Sequence, residues 1–349
     1  MMNLAECKKN IISKFADEVL VLEDVETKKV TTFGLGTALP LLVEPQSVQA
    51  LTQLLAFLKE NKIAWYILGC GSNTVFPDEP LQKVVIRLGK RFNKACFWNT
   101  DVSSLYEQDN ILESLEHFLN LETPLQANIA VGETVYALVF ARTMLVAFAN
   151  KMCANALAGL EYGNGIPSTI GGAVLINAGA HGWAIGSITE AVWILDHEGV
   201  LKILKKEDLV FSYRNSNIPT DAVVLAVLLK FTKDDPEQVQ ARRKHGLDYR
   251  KAHQPINLPS AGSIFKNPSG TTNNAQEQTV LPPAGKLIDL AGLKGFRVGG
   301  CEVSSLNANW IVKVDDSAKT SDLLEIMRVV REKVKEQSGI ELQSEVKIL

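Results

Sequence analysis

The first two thirds of the chain alternate between helix-like and strand-like patterns of apolar residues. In QSVQALTQLLAFLKENK, residues 46–62, apolar side chains recur at helical spacing, and IAWYILG, residues 63–69, is typical of a strand. Two further strand-like runs, AVWILD (191–196) and AVVLAVLLKF (222–231), flank a turn-rich loop. This order predicts a mixed α/β architecture. The apolar positions of the first helix are Val48, Leu51, Leu54, Leu55 and Leu58.

The last third of the chain carries a second set of patterns. The polar run that begins at residue 234 opens a helix, and the presence of Asp234 and Pro236 predicts a domain boundary there. Residues 319–339 predict a helix with Ser321 as N-cap and Gly339 as its C-terminal stop. ELQSEVKIL, residues 341–349, predicts a final strand. The apolar stripe of the helix comprises Leu323, Leu324, Met327, Val330 and Val334.

Two stretches in the middle of the chain are harder to interpret. TVYALVFARTMLVAFANKM, residues 134–152, is the most apolar segment, but Arg142 and Asn150 interrupt it. It is therefore predicted to be a buried helix rather than a membrane span. Residues 91–126 show no clear period, and no element is assigned to them.

Composition and charge exclude several classes of function. The chain has 349 residues, of which 46% are hydrophobic, so it can build a large core and two or three domains. Its net charge of −3, without a long basic block, argues against binding to nucleic acid or to an anionic membrane. Five scattered cysteines and five histidines without metal-ligand spacing argue against disulfides and a metal site. These features, together with a start that lacks an apolar signal segment, predict a cytoplasmic protein.

A first glycine-rich segment follows the strand that ends near residue 68. Gly69, Cys70 and Gly71 are followed by Ser72 and Asn73, so glycines that permit close backbone approach adjoin two polar side chains. An anion-binding nest is one interpretation. A simple tight turn is the other, and for this motif alone it is favoured. A Rossmann loop is excluded because no third glycine and no helix follow.

A second, denser segment is GLEYGNGIPSTIGGAVLINAGAHG, residues 159–182. Pro167 suits the first position of a short helix, whose free amides would bind phosphate without a basic residue. Tight packing of backbone on backbone is the alternative. Two such nests in one domain suggest a dinucleotide whose diphosphate is bound by amides.

Six motifs in sequence order now carry a family resemblance. The chain resembles the UDP-N-acetylenolpyruvoylglucosamine reductase (MurB) family, in particular its shorter second type, over most of its length. The resemblance implies an α+β chain. Residues 1–233 are expected to form an FAD-binding fold of the vanillyl-alcohol-oxidase type, with two α/β subdomains of about 1–88 and 89–233. Residues 234–340 are expected to form a substrate-binding α+β domain, and residues 341–349 a terminal strand. The motifs are GCGSNTVF, GLEYGNGIPSTIGGAVLINAGAHG, FSYRNS, PSAGSIFKNP, AGKLIDLAGLKGFRVGG and LQSEVKIL.

The resemblance also implies a reaction and its residues. NADPH reduces FAD, and an enolpyruvyl ether of a UDP-sugar is then reduced to UDP-N-acetylmuramate by a monomeric enzyme. Arg214 faces the substrate carboxylate, Ser263 donates a proton and Glu345 is the third catalytic residue. Lys251, Lys266 and Asn267 contact the diphosphate or ribose, with Arg250 and His253 as rivals of Lys251. The FAD-binding residues are Gly69, Cys70, Gly71, Ser72, Asn73, Thr74, Gly165, Ile166, Pro167, Thr169, Gly171, Gly172, Asn177 and Gly179.

The sequence departs from the family pattern in places, and other functions remain open. Asn307 and Lys313 stand where the family has histidine and asparagine. Residues 91–158 look extended, which predicts an added surface element near 99–110. Tyr162 and Tyr213 are interpreted as packing residues. The alternatives are an FAD-linked oxidase or dehydrogenase of an alcohol or hydroxy acid, and a flavin- or sugar-nucleotide-binding homologue without turnover.

Overall fold

The computed structural model describes residues 2–99, 102, 105–106, 110–121, 123–126, 128–268, 271–274 and 277–349. The helices of these residues are α1 (Leu4–Phe15), α2 (Val48–Glu60), α3 (Ile111–Asn120), α4 (Leu145–Ala154), α5 (Ile170–Leu175), α6 (Pro236–His253), α7 (Ala284–Leu290) and α8 (Thr320–Ser338). The strands from the amino-terminal side are β1 (Val19–Val25), β2 (Leu39–Pro45), β3 (Trp65–Ile67), β4 (Thr74–Val75), β5 (Val84–Ile86), β6 (Ala95–Trp98), β7 (Thr134–Phe140), β8 (Leu157–Ala158), β9 (Gly179–Ala180), β10 (Trp183–Ala184) and β11 (Thr189–Leu195). The remaining strands are β12 (Leu201–Lys205), β13 (Phe211–Ser212), β14 (Asn215–Ser216), β15 (Val223–Lys233), β16 (Ser260–Ser263), β17 (Thr271–Asn274), β18 (Glu277–Val280), β19 (Arg297–Val298), β20 (Cys301–Val303), β21 (Trp310–Lys313) and β22 (Lys347–Ile348).

The chain forms two compact units. The first unit comprises Met1–Glu23, Pro40–Cys70 and Gln82–Asp248, and the second unit comprises Asp24–Leu39, Gly71–Leu81 and Tyr249–Leu349. Their limits differ from the domain limits predicted at residues 233 and 340. In particular, the last nine residues belong to the second unit, as do two short segments from the first quarter of the chain.

The first unit is built around two sheets. One has the strand order β1-β2-β5-β3, in which β5 runs parallel to β2 and to β3. The other is antiparallel, has the order β12-β11-β15-β7-β6 and adds β8 beside β15. Its central strand β15 is buried over residues 223–229, as its continuous apolar sequence predicts.

The second unit contains the antiparallel sheet β16-β21-β20-β19, on which α8 packs. Its core includes Phe265, Leu287, Ile311 and Met327. At the end of the chain, β22 pairs in parallel with β4, with Lys347 opposite Thr74 and Ile348 opposite Val75. The carboxyl terminus is thereby attached to a segment of the second unit that lies more than 270 residues earlier in the chain.

Several elements confirm the predictions. α2 begins after Ser47, whose side chain accepts a hydrogen bond from the Ala50 amide (3.0 Å), and its five predicted apolar positions are buried. α8 ends at Gly339, which has a left-handed φ of 69°. Its buried stripe contains Ile326 in place of the predicted Leu324, which is 45% exposed.

The predicted buried helix over residues 134–152 is wrong in its first half. Residues 134–140 form β7, which pairs with β6 and with β15, and only residues 145–154 are helical as α4. Arg142 therefore lies in the turn between strand and helix. Within each half of the segment, on either side of Arg142, nearly every residue is apolar, so no period distinguishes a buried strand from a buried helix. The β-branched and aromatic residues of TVYALVF favour the strand.

Two helix starts and one strand also differ from prediction. α8 begins at Thr320 rather than after Ser321, because the Asp78 carboxylate accepts hydrogen bonds from both amides. α5 begins at Ile170 rather than at Pro167, because Thr169 is the N-cap and its side chain accepts a hydrogen bond from the Gly172 amide. The final strand is limited to β22, preceded by a single bridge between Ser344 and Phe265.

The extended segment 91–158 contributes to the first unit rather than only to its surface. It supplies β6, α3 and β7, and Leu115, Phe118 and Leu119 of α3 are buried. Most of residues 99–110, where an added surface element is predicted, lie outside the described residues.

Candidate active site

The two predicted cofactor segments meet in the first unit. The Cys70 thiol donates a hydrogen bond to the Pro167 carbonyl over 3.2 Å. A Cβ atom at Gly69 would lie 2.9 Å from Thr169 Oγ1, so this approach requires glycine. Predicted residues from both segments therefore lie against each other.

The first amides of α5 have partners within the protein. Because the turn after β7 and the Thr169 side chain accept their hydrogen bonds, the prediction of free amides at a phosphate-binding helix start is wrong. The bonds run from Ile170 to the Thr143 carbonyl (2.8 Å), from Gly171 to the Ala141 carbonyl (3.0 Å) and from Gly172 to Thr169 Oγ1 (3.2 Å).

The solvent-reachable part of these segments is small and uncharged. Of the predicted cofactor residues in this unit, Thr169, Gly171 and Asn177 are buried, whereas the others are exposed or half-buried. A planar uncharged ring can lie on such a surface, because short side chains and glycines keep the backbone accessible. The accessible predicted residues are Gly69, Cys70, Gly165, Ile166, Pro167, Gly172 and Gly179.

The last residues of the first glycine segment belong to the second unit and have structural contacts there. Gly71 has φ 67°, and a Cβ atom at this position would lie 2.1 Å from the Val30 carbonyl oxygen. Thr74 is buried in β4, whereas Ser72 and Asn73 are half-buried. The Asn73 side chain donates to the Glu345 carbonyl over 3.0 Å. Part of this loop is therefore shaped by the protein's own packing.

Arg214 lies at the tip of the hairpin formed by β13 and β14 in the first unit. Its φ of 54° is in the left-handed region, which costs a non-glycine residue about 1 kcal/mol. Its guanidinium carbon lies 5.3 Å from the centre of the Tyr213 ring, and Nη1 donates to the Gly179 carbonyl over 3.1 Å. Tyr162 is buried, as its interpretation as a packing residue predicts, whereas Tyr213 is 53% exposed and its ring contacts the Arg214 guanidinium rather than the core.

Two residues predicted as cofactor contacts support this hairpin. The Asn177 side chain donates to the Ser212 carbonyl (2.9 Å) and accepts from the Gly186 amide (3.0 Å). Gly179 provides the carbonyl that Arg214 binds, and a Cβ atom there would lie 2.2 Å from the Trp183 carbonyl oxygen. Both residues thus hold the arginine in place within the first unit.

Ser263 ends β16 in the second unit, at a bulge in its pairing with β21. Ser263 lies opposite Trp310, and the register shifts between Ser260 and Ser263. Gly262, inside the bulge, has φ 78°, and apart from its two chain neighbours no atom of the described residues lies within 4 Å of where its Cβ would be. The bulge thus leaves open space at Gly262, which directly precedes the half-buried Ser263.

The segment that carries Glu345 is hydrogen-bonded to the segment that follows Ser263. The Glu345 amide donates to the Ile264 carbonyl (2.8 Å), and the Lys266 amide donates to the Gln343 carbonyl (2.9 Å). Glu345 itself is half-buried. Two of the three predicted catalytic residues therefore lie on adjacent segments of one unit.

Asn309 is a buried residue near this site that the sequence analysis missed. Its side chain accepts from the Phe265 amide (3.0 Å) and donates to the Phe265 carbonyl (2.8 Å), and its own carbonyl accepts from the Ile264 amide (2.9 Å). An asparagine inside the strand-like run NANWIV was the available signal, because a buried amide needs polar partners.

The predicted substrate-binding residues differ in their surroundings. Asn267 Oδ1 accepts from the Ala284 amide (3.0 Å) and so caps α7, and Lys266 is half-buried. Lys251 is exposed on α6, whereas its rival Arg250 is half-buried, and burial lowers the pKa of its guanidinium. The other rival, His253, stacks on Tyr249 with 4.1 Å between ring centres.

The two departures from the family pattern are integrated into the second unit. Asn307 donates to the His253 carbonyl (3.2 Å) and accepts from the Asn309 amide (3.1 Å). Lys313 lies 3.3 Å from an Asp316 carboxylate oxygen, and its side chain is 18% exposed. Asn307 thus links the end of α6 to the residue that holds the Ser263 segment.

Among the described residues, no group of three or more histidine, cysteine, aspartate or glutamate residues is arranged to hold a metal ion. No helix within the described ranges has the length and apolar character needed to cross a membrane.

Comparison with known proteins identifies the family. Residues 254–349 match the family model of the C-terminal domain of UDP-N-acetylenolpyruvoylglucosamine reductase. The reductase of that name from Alkaliphilus oremlandii (strain OhILAs) is 30% identical over 339 residues, which cover 97% of this chain and 96% of that protein. The one from Bacillus pumilus (strain SAFR-032) is 32% identical over 332 residues, 94% of either protein.

A solved structure agrees with these relatives over most of the chain. The crystal structure of UDP-N-acetylenolpyruvylglucosamine reductase (MurB) from Thermus caldophilus matches with a TM-score of 0.67 and 29% identity, covering 95% of this chain and 98% of that one. The predicted α+β fold class is confirmed, since the chain shares the fold of this reductase over nearly its whole length. The chain belongs to the UDP-N-acetylenolpyruvoylglucosamine reductase (MurB) family.

Proposed function

We propose that this protein reduces the enolpyruvyl ether of UDP-N-acetylglucosamine to UDP-N-acetylmuramate, a peptidoglycan precursor, with NADPH as hydride donor. Membership of the family supports the proposal, since relatives of that name match nearly the whole chain. The observation that carries it is the pairing of the Ser263 and Glu345 segments beside the open space at Gly262. This arrangement places a residue with a hydroxyl and a residue with a carboxylate on hydrogen-bonded segments of one unit.

FAD is the proposed resident cofactor, held by residues 69–74 and 165–172. The uncharged accessible surface of Gly69, Cys70 and Gly172 fits a ring system bound through backbone and small side chains. When bound, FAD supplies the redox chemistry by taking a hydride from NADPH and passing it to the substrate. The amides of α5 are occupied within the protein, so other backbone and hydroxyl groups of these segments must bind the diphosphate.

Arg214 is proposed to bind the substrate carboxylate. Hydride addition to the methylene carbon leaves negative charge on the α carbon and its carboxylate, and a planar guanidinium stabilises this charge through two parallel hydrogen bonds. Stacking on Tyr213 and the bond to the Gly179 carbonyl hold the guanidinium in a defined position before substrate arrives. Asn177 acts through the hairpin, as a positioning residue.

Ser263 is proposed to deliver the proton that completes the reduction at the α carbon. A serine hydroxyl is a weak acid, so it donates only to a strongly basic enolate. Glu345, on the adjacent segment, is proposed to bind or polarise the enol carboxylate. Small residues around Ser263, in particular Gly262, leave the clearance that a substrate needs.

The nucleotide end of the substrate is assigned to the second unit. Lys266 is proposed as a diphosphate contact, and Asn267 can contribute its amide nitrogen while its oxygen caps α7. Arg250 is a better candidate than the exposed Lys251, because a half-buried guanidinium favours an anionic partner.

The proposed setting follows from the same reasoning. The protein acts as a cytoplasmic monomer on small molecules and binds neither nucleic acid nor membrane. Residues 1–233 are proposed to bind FAD, residues 234–340 to bind the UDP-sugar and residues 341–349 to present Glu345.

A steady-state assay tests the proposal. Purified protein with FAD is expected to oxidise NADPH only when the enolpyruvyl substrate is added, and to form a product heavier by two hydrogens in the mass spectrum. An FAD-linked oxidase would instead reduce its flavin with an alcohol or hydroxy acid. A homologue without turnover would bind the UDP-sugar without consuming NADPH, and either result would refute the proposal.

A further inference from the structure

The peptide groups on both sides of the Glu345 Cα atom are fixed within the second unit. The Glu345 amide donates to the Ile264 carbonyl over 2.8 Å, and the Glu345 carbonyl accepts from Asn73 Nδ2 over 3.0 Å. Since peptide groups are planar, two such bonds restrict both backbone dihedrals of the residue between them. They therefore set the direction in which the Glu345 side chain leaves the backbone.

Asn73 holds this segment through its main chain as well. The Asn73 carbonyl accepts from the Lys347 amide over 3.0 Å, and the parallel pairing of β4 with β22 continues from there. This pairing begins at Lys347, two residues beyond Glu345. The Asn73 side chain thus extends the attachment back to the peptide that carries the carboxylate.

The residues to which the Glu345 segment is hydrogen-bonded directly follow Ser263, the proposed proton donor. Ile264 and Phe265, which directly follow Ser263, are bound to Asn309 on one edge and to residues 343–345 on the other. A displacement of the Glu345 segment would therefore act on the backbone next to Ser263. Asn73, Glu345 and the residues that directly follow Ser263 are linked by hydrogen bonds within the second unit.

We propose that Asn73 is a positioning residue, which couples the order of loop 71–74 to the orientation of Glu345. The inference rests on the proposed function, in which this loop contacts the cofactor and Glu345 contacts the substrate. Its amide donor is directed at the Glu345 carbonyl and so serves the carboxylate as well as the loop. Because coupling between two sites is reciprocal, a cofactor that orders the loop also stabilises the Glu345 segment.

The first test uses the unmodified protein. Backbone amide exchange of residues 343–349 is followed by mass spectrometry in the FAD-free and FAD-loaded protein. We expect FAD to slow exchange at the Glu345 and Lys347 amides, although neither residue is proposed to touch FAD. Unchanged exchange at both amides, in a protein that demonstrably binds FAD, would overturn the proposal.

The second test removes the side-chain donor. In FAD-loaded Asn73→Ala we expect exchange at the Glu345 amide to rise by about three- to ten-fold, the effect of one lost hydrogen bond. The ratio of the rate of flavin reoxidation by substrate to the rate of its reduction by NADPH should fall by a similar factor. Asn61→Ala is the matched control, because it removes a comparable bond, from Asn61 Nδ2 to the Phe57 carbonyl (2.8 Å), in the first unit.

An isosteric variant distinguishes loss of the hydrogen bond from a general loss of folding. Asn73→Asp keeps the shape but replaces the donor with an acceptor, so exchange at Glu345 should rise at neutral pH and fall back when the introduced carboxyl is protonated. If both Asn73 variants match the Asn61→Ala control in exchange and in the rate ratio, Asn73 is not a positioning residue. If the unmodified protein binds no FAD, the proposed function fails. Amide exchange in the FAD-free variants then still tests whether the Asn73 side chain holds the Glu345 segment.

Discussion

At the scale of single residues, Arg214 combines backbone strain with a fixed side chain. A left-handed φ is unfavourable for arginine, yet the hairpin tip, the stack on Tyr213 and the bond to Gly179 hold it there. Such strain is retained where a defined orientation matters. The expected benefit is a guanidinium that already points in a fixed direction when substrate binds.

Replacement of Arg214 by lysine tests whether its oriented guanidinium contributes to catalysis. Arg214→Lys keeps the charge but loses the planar fork, so two parallel hydrogen bonds to a carboxylate become one point contact. We expect kcat to fall by roughly ten-fold to a thousand-fold, the range for an electrostatic stabiliser of developing charge. The steady-state NADPH assay measures this, with Arg297→Lys, at an exposed position of the second unit, as control. Near-normal kcat would show that Arg214 does not contact the reacting carboxylate.

Ser263 is tested through the two half-reactions. Ser263→Ala removes the proposed proton donor, while reduction of the flavin by NADPH needs no proton from it. We expect reoxidation by the enolpyruvyl substrate to slow by at least about a hundred-fold and reduction to stay within a small factor of normal. Ser263→Cys should restore part of the rate, because a thiol is the stronger acid. Stopped-flow absorbance separates the two steps, and a loss confined to reduction would refute this role.

At the scale of elements, α8 begins at a cap supplied from far away in the sequence. The Asp78 carboxylate accepts from the Thr320 amide (2.8 Å) and from the Ser321 amide (2.9 Å). Burial alone would raise the pKa of Asp78, but these bonds outweigh it and the net effect lowers the pKa. The capped form is therefore the ionised form.

The cap makes a prediction about stability and pH. Asp78→Ala should reduce the free energy of unfolding by about 1 kcal/mol at pH 7, the typical value of a helix cap. Because the folded-state pKa of Asp78 is lowered, its contribution is complete above the unfolded pKa of about 3.9 and is lost as pH falls through the folded value. Urea unfolding should thus give a smaller difference at about pH 3 than at pH 7. A difference that stays constant would contradict the cap, and Asp221→Ala, at an exposed carboxylate, is the control.

At the scale of the whole molecule, local patterns predicted the elements better than the contacts between them. α2 and the end of α8 follow from spacing and capping within a few residues. The Asp78 cap joins residues 242 positions apart, and β4 pairs with β22 across a similar distance. No local pattern contains such information, so the start of α8 and the length of the final strand were predicted wrongly.

In the candidate site, too, local motifs predicted the candidate residues but not the contacts between distant segments. The motifs identified Arg214, Ser263 and Glu345 as candidates, and the structure brings the segments of the last two together. The occupied amides of α5 could not be foreseen, because their acceptors come from the turn after β7, a strand that the apolar pattern assigned to a helix. Asn309 was missed because its role depends on pairing with Phe265, 44 residues earlier in the chain.

The cofactor proposal concerns the whole molecule and has a simple test. The purified protein, after reconstitution if necessary, should be yellow and should release FAD into solution on denaturation, since no histidine or cysteine is assigned to a covalent flavin link. Absorbance of the supernatant after heat or acid treatment measures this. A protein that stays colourless after incubation with FAD would contradict the cofactor assignment.

The flavin spectrum during stepwise addition of the two substrates tests the central claim most directly. Under anaerobic conditions, NADPH should bleach the flavin band of the FAD-loaded protein, and the enolpyruvyl ether of UDP-N-acetylglucosamine should then restore it with formation of UDP-N-acetylmuramate. This result requires both half-reactions in one molecule. If NADPH bleached the band and the enolpyruvyl ether left it bleached, the protein would not be the proposed reductase.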